Sequence, residues 1–160
     1  MQSNIVKGIV AGFCATVVLT AIMVVKAFMA FIPQVNLAAL MSGLLTAPVY
    51  VGWAVHFVIG TLIWGPLFAV LAPRIPGSTA IIKGVLFAAA AWVLMQLVVL
   101  PIAGMGLFGV AYGFGATVLT FILHAIYGVV LGLVFAQLKG VWHVKGPASD
   151  AHGALRYTHY

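Results

Sequence analysis

Acidic side chains are almost missing from this chain. Asp150 is the only Asp or Glu among 160 residues. That excludes paired-carboxylate acid–base catalysis and carboxylate-built calcium sites. It also removes the acidic group at depth that ion- and proton-coupled transporters usually carry. Cysteine is scarcer than any chemistry needs: Cys14 stands alone. No intrachain disulfide or Cys-x-x-Cys redox pair can form, and Cys14 reads as a small apolar packing residue. Zinc sites lack ligands too, since two intramembrane His with no acid or usable Cys fall short of a tetrahedral set. Charge of either sign makes up 5% of the chain, against about a quarter in soluble domains.

What is present is apolar and arranged in long runs. Apolar residues fill 65% of positions, and mean hydropathy is +1.26. No charged residue occurs in 8–25, 27–73 or 84–138. A membrane-spanning helix needs about 20 mostly apolar residues, and four segments supply them: 5–32, 48–71, 80–102 and 114–138. Ten-residue alternating segments are absent, which argues against a membrane β-barrel. Backbone in lipid must satisfy its own hydrogen bonds, so the spans are helices. The expected fold is an all-α integral membrane protein with four transmembrane helices in a four-helix bundle, residues 1–140, followed by a polar tail, 141–160.

Cation placement predicts the orientation. Lys7 precedes or begins helix 1, Arg74 lies in the turn 72–79, Lys83 follows that turn, and Lys139, Lys145 and Arg156 follow helix 4. With four crossings all share one face. The connections 33–46 and 103–113 contain no Lys or Arg. Both termini are therefore expected in the cytoplasm of a bacterial cell, with the chain in its inner membrane. The net charge of +6 is read as a topology signal facing anionic lipid, not as a nucleic-acid surface. A cleavable signal peptide is the competing reading of the N-terminus, but the apolar stretch after Lys7 exceeds a signal h-region. The apolar connection 35–46 is expected to form a short interfacial helix. Tyr50, Trp53 and Tyr112 mark the outer boundary and Trp142 the inner one.

The spacing suggests a duplication. Pro33 and His56 are 23 positions apart, as are Pro101 and His124, and Gly60 and Gly128 keep the same offset of 68 as the two His. Lys7-Gly8 and Lys83-Gly84 open the odd helices. This pattern predicts two tandem parallel helical-hairpin repeats, about 5–72 and 80–140, related by a pseudo-twofold axis along the membrane normal. Gly60, Gly65, Gly128 and Gly132 would allow close helix approach.

The polar inventory of the spans is Lys26, His56, Gln96 and His124. Two readings of the His pair stay open. In one, each imidazole hydrogen-bonds a neighbouring helix carbonyl and locks the packing. In the other, His56 and His124 are axial ligands of a b-type haem. The haem reading makes geometric demands. The two ring nitrogens must lie about 4 Å apart, twice a typical metal–nitrogen bond. Gly60 and Gly128, one turn along, must line the gap. Lys26, roughly 10 Å inside the outer end of helix 1 at the usual rise, would pair with a propionate or else snorkel to headgroups. A proton-relay or ligand role for the pair is a third possibility. Gln96 is expected to hydrogen-bond between helices. Phe57, Trp64, Phe68, Tyr127 and Phe135 pack, face lipid, or wall a cofactor. In the tail, His143, His152 and His159 match no standard metal motif, and a partner subunit is the simplest surface for that segment to lie against.

At Lys7-Gly8-Ile-Val-Ala-Gly12, Gly52-Trp53-Ala-Val-His56-Phe57-Val-Ile-Gly60 and Leu123-His124-Ala-Ile-Tyr-Gly128, the chain resembles a family of small four-helix bacterial inner-membrane proteins. The resemblance covers most of 5–140 and implies the four-span topology; it implies no catalytic residues. The functional expectation is a small non-catalytic accessory subunit of a larger inner-membrane complex, respiratory or electron-transfer in kind, with other membrane subunits as partners. The alternative is a small channel or transporter.

Overall fold

The computed structural model describes residues 3–29 and 36–140. Trp142 and the tail 141–160 lie outside the described residues. Five helices account for most of what is described: α1 (Asn4–Phe28), α2 (Leu37–Leu45), α3 (Val49–Leu71), α4 (Ala80–Ile102) and α5 (Phe114–Lys139). All but α2 are long and apolar enough to cross a membrane. At about 1.5 Å per residue, each exceeds the roughly 30 Å hydrocarbon core.

Their starts follow from local chemistry. Ser3, Asn36 and Thr79 are extended residues whose side-chain oxygens accept from Val6, Ala39 and Ile82 N–H at 3.3, 3.0 and 3.2 Å. Such caps satisfy amides that a helix start leaves open. Gly140, left-handed at φ 69°, ends α5, where glycine carries no Cβ penalty.

Two spans widen midway into π-helical turns, Ile59–Trp64 in α3 and Met95–Val99 in α4. Each sits just before a proline, Pro66 or Pro101. Proline has no N–H to donate, and its ring crowds the carbonyl one turn back. The chain relaxes by lengthening the ring: Gly65 N–H reaches Gly60 O, and Leu100 N–H reaches Met95 O, each five residues back. Such bulges often sit at functional positions.

The helices pack through missing side chains. A Cβ added to Gly8 would lie 2.5 Å from Gly65 O, and one added to Gly12 would lie 2.6 Å from Gly60 O, so α1 meets α3 main chain to main chain. Gly84 of α4 meets Gly128 of α5 in the same way. Small residues at such contacts are how membrane helices gain close van der Waals packing. The paired residues (8 with 65, 12 with 60, 84 with 128) run in opposite directions along each hairpin. α5 also packs along α1, and the Tyr127 hydroxyl donates to Gly60 O of α3 at 2.7 Å.

Two faces follow. One carries the start of α1, the turn between α3 and α4, and the end of α5, with Lys7, Arg74, Lys83 and Lys139; it is called the basic face. The other, the neutral face, carries α2 and the connection from α4 to α5. The half of the bundle toward the basic face is apolar and closed. Phe68, Phe87 and Phe135 are buried there, with ring centroids 5.4 and 5.3 Å apart from Phe68. Trp64 adds an edge contact to Phe87 at 5.7 Å. Large apolar side chains such as Leu62, Val93 and Ile122 point outward and exposed on every span, as a lipid environment allows.

Candidate functional site

Buried hydroxyls occur at mid-span, on Thr16 of α1 and Thr61 of α3, and the larger buried polar side chains lie toward the neutral face. Lys26 sits in the last turn of α1. His56 lies seven residues into α3, Gln96 six residues from the end of α4, and His124 ten residues into α5. All four fall between mid-membrane and the neutral face, and two of them line one cavity.

That cavity has a volume of about 70 Å³ and lies among α1, α4 and α5. Leu19 and Met23 of α1, Leu100 of α4 and Leu123 of α5 give it apolar walls. Asn36 and Leu40 of α2, with Phe108 and Tyr112, line it toward the neutral face. The capping role of Asn36 explains why α2 begins there. A wider groove between α2 and the end of α4 shares Asn36, Leu40 and Tyr112 with it.

Gln96 lines the cavity from the π-helical turn of α4. It is 0% exposed, yet neither its amide nitrogen nor its amide oxygen has a partner. An unpaired buried polar group costs about 1–3 kcal/mol. The sequence expectation of an interhelical hydrogen bond from Gln96 is thus corrected. The widened turn displaces the ladder next to Pro101, and the side chain ends at a cavity wall instead of on a neighbouring helix.

His124 lines the same cavity. Its Nδ1 lies 2.8 Å from the Thr120 carbonyl on its own helix. A carbonyl only accepts, so Nδ1 carries a proton, and in the neutral ring Nε2 is an acceptor. The nearby hydroxyls are committed. Thr120 donates to Thr117 O at 2.9 Å and accepts from Trp92 Nε1 at 3.1 Å; Thr117 donates to Phe108 O at 2.7 Å. Phe108 is left-handed, at φ 56° and ψ 18°. A bulky residue held there marks local strain, which tends to concentrate at functional sites.

The other expected site residues lie elsewhere. His56 is buried with no partner for Nε2, edge-on to Trp53 and Phe57 at 5.9 and 5.8 Å, and does not line the cavity. Lys26 is buried at the C-terminal end of α1, where the helix dipole favours a cation, and it too does not line the cavity. Gly60 and Gly128 are occupied by protein: Gly60 faces the Thr16 side chain, and Gly128 faces the Gly84 main chain and the Ala88 methyl. The gap that a porphyrin needs beside these glycines is filled by helix packing. The residues present therefore do not fit a haem held between His56 and His124. The cavity, with room for about five water-sized probes, is also far too small for a porphyrin.

Residues 2–144 match the model of a family of unknown function, DUF6789. The chain belongs to that family. No curated protein and no solved structure matches it. The matched residues include all five helices, α1 to α5.

Proposed function

We propose that this DUF6789 member is a small, non-catalytic accessory subunit of a larger bacterial inner-membrane complex, with a respiratory, electron-transfer complex as the preferred host. Both termini are cytoplasmic in this reading, since the basic face would take the side of the positive-inside rule. In this reading the two hairpins are tandem parallel repeats, a view supported by the contacts of Gly8 with Gly65 and of Gly84 with Gly132.

One observation carries the choice of class. The larger buried polar side chains and the described cavity lie toward the neutral face, and toward the basic face Phe68, Phe87, Phe135 and backbone-to-backbone packing fill the bundle. A conduit needs a continuous polar or wetted path; a one-ended cavity needs a resident. The groups around it are uncharged, which suits the neutral lipophilic carriers that electron-transfer complexes exchange with the bilayer. Purification from native membranes in mild detergent tests the reading. Other membrane subunits at fixed stoichiometry are expected. A lone monomer or homo-oligomer that moves solutes across liposome membranes would instead establish the channel or transporter alternative.

A further inference from the structure

We propose that the cavity between α1, α4 and α5 binds the head of a neutral lipophilic molecule bearing a hydroxyl, of the hydroquinone type, which donates to His124 Nε2 and accepts from the Gln96 amide. The site stands on the cavity alone, whatever complex the chain joins.

The unmet chemistry defines the ligand. Gln96 offers two donors and an acceptor, all unused and fully buried. His124, with Nδ1 committed to Thr120 O, offers an acceptor at Nε2. The hydroxyl protons of Thr117 and Thr120 are spent within the protein. Among the described residues, no Asp, Glu, Lys or Arg lines the space, so an ionised head would be left without a counter-charge, at a high desolvation cost. A hydroxyl is the smallest group that gives and takes a hydrogen bond at one atom. The walls are otherwise apolar, built by Leu19, Met23, Leu100 and Leu123, and suit a ring or an alkyl segment. A volume of about 70 Å³ accepts part of such a molecule, and the groove beside α2, sharing Asn36, Leu40 and Tyr112, gives the remainder a route toward the neutral face. Two departures from regular backbone meet here: the π-helical turn that carries Gln96, and left-handed Phe108.

Titration calorimetry of the full chain in detergent tests this, using a short-chain alkyl hydroquinone, its quinone and its dimethyl ether. The hydroquinone is expected to bind saturably at one site per chain. The ether has no donor for Nε2 and should bind about tenfold more weakly, the usual effect of one lost hydrogen bond. The quinone should also be weaker, since it accepts from Gln96 but donates nothing. Gln96→Leu and His124→Phe should each lower hydroquinone affinity by about tenfold, whereas Val93→Ala, on the lipid side of α4, should leave it unchanged. Equal binding of hydroquinone and ether, or unaltered binding in a folded Gln96→Leu protein, would overturn the proposal. So would heats that never saturate, meaning that the probe only partitions into micelles and the cavity holds water. Any of these failures would leave the co-purification result untouched.

Discussion

Gln96 is a polar side chain held where a hydrocarbon would be cheaper. Both its amide atoms are buried without partners among the described residues. Replacing it with leucine removes that debt and keeps most of its volume. Gln96→Leu is expected to stabilise the unliganded protein by about 1–3 kcal/mol, read as a higher unfolding midpoint in detergent. A lower midpoint would mean that the amide has a partner in the native protein. Sequence reading finds Gln96, His56, His124 and Lys26 readily, because polar residues stand out in apolar runs. It does not tell which of them share a space. Depth along a helix follows from counting residues, but rotation about the helix axis depends on contacts such as Thr16 against Gly60. Equal spacing of His56 and His124 in the sequence therefore did not give them a common site.

The elements themselves were legible from hydropathy and charge. The expected segment 80–102 coincides with α4, and 48–71 and 114–138 differ from α3 and α5 by one residue. A short helix is present within the expected connection 35–46, as Leu37–Leu45. The π-helical turns were not legible, since apolar periodicity carries no sign of a bond to the fifth residue back. Pro66 and Pro101 inside otherwise apolar runs are the signal that could have located them. Glycines at the hairpin contacts were legible as small residues, and the structure adds what each one meets. Leucine at Gly84 would drive its side chain into the Gly128 carbonyl of α5, and no rotamer relieves a clash at Cβ. Gly84→Leu is therefore expected to cost at least about 3 kcal/mol, the upper range for overpacking, or to block folding. Leucine at Gly43, where an added Cβ meets nothing within 4 Å, should be tolerated. Similar melting curves for the two variants would show that α4 and α5 are not in backbone contact.

At the scale of the molecule, the bundle is asymmetric across the membrane. Toward the basic face it is filled by three phenylalanines and by glycine contacts, and toward the neutral face it holds Lys26, His56, Gln96, His124 and a cavity. This division underlies the choice of a binding subunit over a conduit, and it reads directly on accessibility. The most direct measurement is face-specific labelling by an impermeant thiol reagent, with single cysteines placed in a Cys14→Ser background in sealed vesicles. Ala39→Cys, on α2 beside the groove, is expected to react only from the neutral face, and Ser78→Cys, in the turn before α4, only from the basic face. Leu131→Cys, fully buried on α5 between Tyr127 and Phe135, should react from neither. Labelling at Leu131→Cys from the basic face would reveal a path through the closed half and contradict the one-ended cavity on which the functional reading rests.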